Sequence, residues 1–584
     1  MKLFRLLIIL VLLAGGLRAQ PKDAPLIALD ELQPGMTGEV WTVFKGQNPE
    51  PFGVQVIGIL RNALGPGKSM ILCELTDPRV QSMGAVAGMS GSPLYINGKL
   101  AGVLAYQIQR FETVRHAGFT PINDMLEVTA LPAGRDFLTP TPLPVKGNQS
   151  RSTAVGEIAP LAPSFSVGGL SPLVAGLLSP QFDEFGLSLN ALGGSLDASA
   201  SGHQAAPPVS LQPGGVVAVA LAVGDITIAG TGTVSHVDGN HVLAFGHPMM
   251  SLGATELPMA SAEVVTILPS QLNSIKVSNT GQIIGAFSQD RLSGIYGEIG
   301  RIPSMVPIEI SFPTRQNRKA LNFRVVRHEQ VLPLIAATGL AQAVNGSNES
   351  GFTRGFRVTT RVAFPGSDPI ELSQIYPGPQ GFNQGLADLV GNLSLWLFNP
   401  YERVFPERIE FAVEDTPETP QGVVQQFQVS RTSAAPGEHI DLGLGWRGYQ
   451  RPATTEYLGL DIPRDWAGKN LEVIVTTGPT LDELTGRSRT VSVAQVRGFS
   501  EYISALREFR RSDGLYVAVV EKTRLLTDQR GSTADMPGSL ERIARSADEA
   551  RFQRRDVVAP LWEQHLLAGT LFNILLRKPL EITE

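Results

Sequence analysis

The chain has 584 residues, 43% of them hydrophobic and 17% charged, with a formal net charge of −6. Such a length exceeds what one core supports and suits three or four folded domains. The mild acidity leaves no basic footprint for nucleic acid. The 61 glycines and 42 prolines, against an aromatic fraction of 7%, predict a mainly β chain of short strands and turns.

In chain order, residues 1–19 read as a signal peptide: Met1-Lys-Leu-Phe-Arg5, an apolar run, and a small residue at Ala19 where a peptidase can cut. The expected mature chain is exported, periplasmic or secreted, since no later stretch has the apolar length of a spanning helix; an uncleaved anchor is the alternative. Residues 20–130 read as a first barrel. Its strands run from Thr37 to Phe44, Gly53 to Leu60, Ser69 to Leu75 and Lys99 to Tyr106. The one cysteine, Cys73, excludes an intrachain disulfide and reads as a small core residue.

Residues 131–210 form a linker and an irregular segment, Pro/Thr-rich from Pro132 to Arg151, with Ser166 to Leu178 suited to a strand or a loose helix. Residues 211–310 resume the strand pattern as a second barrel, and Leu211-Gln-Pro-Gly214 echoes Leu32-Gln-Pro-Gly35 at its opening. Residues 311–420 carry longer strands and one helix, Asn383 to Leu397. Residues 421–525 read as a β-sandwich of immunoglobulin type, with a capped amphipathic helix from Ser500 to Phe509. Residues 526–584 supply a solvated helix between Pro537 and Arg555 and a closing strand at Leu571 to Leu576.

The stretch that carries chemistry is Gly88-Met-Ser-Gly-Ser-Pro93. A serine between glycines, followed by Pro and an apolar hairpin at Asn97-Gly98, is how a chymotrypsin-like barrel presents a nucleophile. The glycines allow the sharp turn that exposes Ser90 Oγ while neighbouring amides, those of Gly88 and Ser90, converge as an oxyanion hole. The same residues are also ordinary turn chemistry. A serine nucleophile needs a base and a group to orient that base. His247, at the end of the apolar strand Ala244-Phe-Gly-His-Pro248, is the candidate base, with a strand-capping role as its alternative. His236 and His241 flank the turn Asp238-Gly239, while His116, His203, His328, His439 and His565 lie in loops or distant modules. Asp77, just after the run Met70 to Leu75, is the candidate acid, with a strand-terminating Asp-Pro turn at Pro78 as its alternative. Asp225 and Asp238 are weaker candidates. The scattered histidines give no metal-ligand spacing, and no metal or cofactor is expected.

Thr76-Asp77, Gly84-Ala-Val-Ala87, Gly88-Met-Ser-Gly-Ser-Pro93, Asn97-Gly-Lys99 and Thr120-Pro-Ile-Asn-Asp-Met-Leu126 resemble the serine half of the SpoIVB-type peptidase family. Gly230-Thr-Gly-Thr-Val234, Leu243-Ala-Phe-Gly-His-Pro248 and Leu292-Ser-Gly-Ile-Tyr-Gly297 resemble its histidine half. The resemblance implies a serine peptidase with Ser90 as nucleophile, His247 as base and Asp77 as orienting acid, acting on a protein or peptide substrate in limited, regulated cleavage. In that family the histidine half usually comes first, so here the two halves are reversed, and no PDZ-like module is evident. The expected fold is a chymotrypsin-like pair of β-barrels followed by β-sandwich modules that could associate with the cell envelope. The competing readings are an inactive peptidase-like protein that binds peptides and a structural envelope protein.

Overall fold

The structure is a computed structural model describing residues 20–584, except for residue 22 and segments 109–112, 133–157, 162–164, 185–186, 188, 191–192, 196–209, 271–273, 315, 347–354, 398–402, 417, 488–497, 529–530, 535–536 and 548–552. The signal peptide, the Pro/Thr-rich linker and most of the Gly/Ser/Ala-rich run from Gly193 to Pro208 lie outside the described residues. The chain divides into two units, Met1–Gly169 with Leu178–Ser304, and Leu170–Leu177 with Met305–Glu584. The chain is mainly β.

Six strands open the first unit: β1 (Thr37–Thr42), β2 (Glu50–Gly65), β3 (Lys68–Leu75), β4 (Pro93–Ile96), β5 (Lys99–Ile108) and β6 (His116–Pro121). They pair antiparallel in the ring β1-β2-β3-β6-β5-β4, and β4 closes back on β1 through Gly38↔Ile96 and Val40↔Leu94. Alternate side chains point inward, so Val40, Phe52, Val54, Ile71, Cys73, Leu94 and Phe119 fill the barrel. The β4–β5 hairpin turns at Asn97 and Gly98, with φ of 50° and 76°, the left-handed pair that an Asn-Gly turn supplies. A short seventh strand, β7 (Ile158–Pro160), lies against β5.

The second barrel repeats the plan. Its strands are β8 (Val216–Gly224), β9 (Thr227–Asp238), β10 (His241–Ala244), β11 (Gly253–Leu268), β12 (Ile275–Arg291) and β13 (Gly294–Ile299). They pair antiparallel as β8-β9-β10-β13-β12-β11, and β11 returns to β8 through Ala218↔Ala260. Strand for strand, this is the order of the first ring. The echoed tetrapeptides occupy equivalent places. Gly35 N donates to Val56 O at 2.8 Å and Gly214 N to Val234 O at 2.7 Å, each tying the entry of the first strand to the second. Both glycines have positive φ, 88° and 76°, which explains why glycine recurs there.

In the second unit, Ile370–Tyr376, Phe356–Ala363, Arg408–Asp415, Met305–Pro313 and Arg318–Val326 pair in that order. The helix Val331–Ala341 is buried on every side, and the expected helix is present as Pro379–Leu397. Beyond it, two sheets pack face to face as a sandwich around Phe427, Ile440, Leu442, Leu460, Val473, Val517 and Leu580. The helix expected at Ser500 begins at Phe499 with Gly498 as its N-cap, so no side-chain cap is made and Ser500 lies inside the first turn. Among the described residues, no helix is long and apolar enough to cross a membrane.

Candidate catalytic site

The serine turn joins β3 to β4, and the histidine turn joins β10 to β11. Each is the connection between the third and fourth strands of its barrel in chain order. The two turns meet at a seam built on Thr233. Thr233 N donates to Ser90 O at 2.8 Å, Phe245 N donates to Thr233 O at 3.3 Å, and Thr233 Oγ1 donates to Gly88 O at 3.2 Å. Ser235 Oγ donates to Gly91 O at 2.9 Å, and Thr120 Oγ1 from the first barrel donates to Gly246 O at 2.6 Å. The serine turn and the histidine turn are therefore joined within one chain.

Glycine is required at the seam itself. Gly91 has φ of 93°, and a Cβ there would run into Thr233 O and come within 2.5 Å of Phe245 N. Phe245, at φ 69°, is a non-glycine residue in the left-handed region, followed by Gly246 at 68°. Such strain in a bulky residue persists only where the surroundings enforce it, and it clusters at functional sites. Here it turns the chain so that His247 follows directly behind the seam.

Ser90 and His247 are both 0% exposed. Ser90 Oγ and His247 Nε2 are buried polar atoms without a hydrogen-bond partner among the described residues. Leaving such atoms unpaired costs about 1–3 kcal/mol each. The amides around Ser90 divide sharply. Met89 N donates to Val86 O and Gly91 N to Leu104 O, whereas the Gly88 and Ser90 amides make no hydrogen bond among the described residues. Two free donors thus flank the serine, as an oxyanion site needs.

His247 Nδ1 lies 2.8 Å from Pro248 O. A carbonyl can only accept, so Nδ1 carries the proton and Nε2 is the bare, basic nitrogen. Burial pushes the imidazole pKa down to about 4, against the backbone of Pro248 and, more weakly, of Leu161, which favour the charged form. The ring is neutral at neutral pH.

Asp77 is placed elsewhere. Its carboxylate caps the helix Pro78–Met83, accepting from Arg79 N at 2.9 Å and from the Arg79 guanidinium at 3.2 and 3.0 Å. The Arg79 hydrogen bond holds its pKa below the ordinary carboxylate value. The geometry brings Ser90 and the His247 turn to one seam but leaves Asp77 with Arg79, and the Asp-Pro turn chemistry accounts for it. A different acid sits behind the histidine turn. Asp290, at the end of β12 and 1% exposed, accepts from Met249 N at 2.7 Å, Met250 N at 2.8 Å and Leu252 N at 3.1 Å. It fixes the backbone immediately after His247. Burial raises its pKa despite those bonds. Nothing in the local sequence of Asp290, a charged residue in a long strand, signals this role.

Lys276 also escaped the sequence reading. It is 2% exposed, and its Nζ donates to Thr42 Oγ1 at 2.9 Å with no carboxylate bonded to it among the described residues. Its backbone pairs with Ala87 O at 3.0 Å, and its stem covers Gly88, where a Cβ would lie 3.1 Å from Lys276 Cβ. The two rival histidines lie off the seam: His241 is exposed and hydrogen-bonds the Tyr296 hydroxyl at 2.9 Å, and His236 is half-buried.

The comparison with known families falls on the serine barrel. Residues 18–114 match the family model described as SpoIVB peptidase S55. No curated protein and no solved structure matches the chain. The SpoIVB match takes in β1 to β5 and the Ser90 turn and supports a serine peptidase. The histidine barrel lies beyond the matched residues and joins the SpoIVB-like segment through the shared ring order and the seam.

Proposed function

We propose that this chain is an exported serine endopeptidase that cleaves protein or peptide substrates through an acyl-enzyme formed at Ser90. The observation that supports the reading is that the serine turn and the histidine turn are tied together through Thr233, with the Ser90 hydroxyl and His247 Nε2 both buried and neither hydrogen-bonded, to each other or to any other described residue.

His247 Nε2 takes the Ser90 proton as Oγ attacks the scissile carbonyl carbon. The developing oxyanion is received by the Gly88 and Ser90 amides, where one donor is worth roughly a hundredfold to a thousandfold in rate. The imidazolium then protonates the leaving amine, and water hydrolyses the ester by the same route in reverse. Nδ1–H, anchored on Pro248 O, keeps the ring in the required tautomer, and Asp290 holds the following loop. Asp77 secures the approach to the serine turn through its helix cap rather than the imidazole. Signal peptide removal near Ala19 delivers the enzyme to the periplasm or medium. The sandwich modules serve to associate with the cell envelope, and cleavage is limited and regulatory.

A second reading, barrels that hold a peptide without turning it over, is favoured by the complete burial of Ser90 and His247. Hydrolysis of an unfolded protein such as casein separates the two. The peptidase reading expects activity that Ser90→Ala and His247→Ala each abolish while thermal unfolding is unchanged. Activity surviving Ser90→Ala, or none in the processed wild type and in variants with an opened site, would sink it.

A further inference from the structure

The edge of β5 beyond its partner β4 is occupied by the chain itself. β4 leaves β5 at the pair Pro93↔Val103, and the pairing of β5 with β6 shifts register between Leu104 and Tyr106. Leu104 then holds the serine turn, its oxygen accepting from Gly91 N at 2.7 Å and its amide donating to Ser92 O at 2.9 Å. The next residue, Ala105, accepts from Leu161 N at 2.9 Å. Upstream of Leu161, β7 runs antiparallel along the same edge in the register Tyr106↔Pro160, Gln107↔Ala159 and Ile108↔Ile158. On the other side, Gly246 packs on Ala105, with a Cβ there 3.2 Å from Ala105 Cβ. The serine turn, the histidine turn and Leu161 thus converge on Leu104 and Ala105.

An extended segment added to an exposed strand edge, gripped by main-chain bonds and anchored by one side chain, is how edge-binding proteins take a peptide. The anchor here is plain: Leu161 is 2% exposed and shares the buried cluster of Met89 and Leu104, whereas Ile158 is 40% exposed. Pro160 lacks an amide and still fits, because the Leu161 amide makes the bond to Ala105.

We propose that Ile158–Leu161 is a built-in occupant of the substrate strand of the Ser90 site, with Leu161 in the position of the residue before the scissile bond. The proposal rests on the Ser90 peptidase reading and adds two things to it. The substrates are extended peptides with leucine before the cleaved bond, and the chain competes with them for its own cleft.

The test uses the full chain and the p-nitroanilide of Ile-Ala-Pro-Leu, with the Lys and Asp analogues at the last position. In turnover, Ser90 Oγ bonds the leucine carbonyl carbon and the bond to p-nitroaniline breaks. The serine proton passes through His247 to the aniline nitrogen, and water then releases the peptide acid. The leucine anilide is expected to exceed the lysine and aspartate analogues in kcat/KM by at least about tenfold. Leu161→Asp, which makes the occupant unfit for an apolar pocket, is expected to raise kcat/KM for the leucine anilide by about tenfold or more. Equal rates on the three anilides, or a folded Leu161→Asp no faster than wild type, overturn the proposal. Should Leu161→Asp not fold, the wild-type preference alone decides. Covalent labelling of Ser90 by a fluorophosphonate in the same samples separates the two levels. Labelling without leucine preference defeats this proposal and spares the peptidase reading, and loss of both labelling and turnover defeats the two together.

Discussion

Replacing Lys276 by Met tests the buried electrostatics of the seam. The ammonium is 2% exposed and donates to Thr42 Oγ1, with no carboxylate bonded to it among the described residues. Burial pulls its pKa from 10.5 down to about 7. At about 1.4 kcal/mol per tenfold, that fall is worth about 5 kcal/mol, an upper figure for the cost of holding the charge inside. The sign follows from proton binding. Between pH 7 and 10.5 the unfolded lysine is protonated and the folded one is not, so stability rises with pH across that window, and the cost is fully present below it. Methionine keeps the length of the stem over Gly88 and removes the charge. Lys276→Met is expected to stabilise the first unit by about 2–5 kcal/mol at pH 6 and by about 1 kcal/mol at pH 10. Urea unfolding at the two pH values, followed by a probe in the first unit, reads the difference. A gain that is absent at pH 6, or equal at both pH values, would refute the reasoning.

Gly91→Ala is expected to cost about 3 kcal/mol or more and to abolish turnover, because its Cβ would enter the contact with Thr233 O; retention of activity and of the unfolding midpoint would contradict this. Asp290→Asn replaces an acceptor of three amides by a group that is half donor and is expected to lower kcat by at least about tenfold, while Asp77→Asn stays within about threefold in kcat and loses only helix-cap stability, about 1 kcal/mol. The reverse ranking in steady-state kinetics would return the acid role to Asp77. For His247, with its pKa lowered to about 4, the acid limb of kcat/KM is expected near pH 4 rather than 6.5. Because the unfolded ring binds a proton between those values and the folded ring does not, stability also falls by about 3 kcal/mol as pH drops from 6.5 to 4. His247→Asn should remove that part of the pH dependence, and an acid limb near 6.5 in the pH–rate profile would show the ring to be solvated.

The barrels were legible because their strands alternate and their turns carry glycine where φ must be positive. Asn97-Gly98 and the paired Leu-Gln-Pro-Gly entries are the clearest cases. The turns that carry Ser90 and His247 were legible for the same reason, since each is marked by glycine at a strand end. The helix Val331–Ala341 escaped because it is apolar on every face and shows no helical period against which to read a polar side. Asp290, Lys276 and Leu161 escaped for a different reason. Each acts through a partner far away in sequence, at Met249, Thr42 and Ala105, and no local pattern records a pairing made only when the barrels close. Asp77 misled through proximity. It stands near the serine in the chain, but Pro78 starts a helix that it caps, and Arg79 then holds its carboxylate.

The central claim, that Ser90 is a nucleophile served by His247, is tested most directly by mapping a fluorophosphonate adduct by mass spectrometry on the processed chain and on its Leu161→Asp variant. The expected result is a single phosphonylated site at Ser90, faster in the variant, lost in Ser90→Ala and slowed by at least about a hundredfold in His247→Ala. No adduct in either protein, or an adduct at Ser90 formed equally fast without His247, would contradict it.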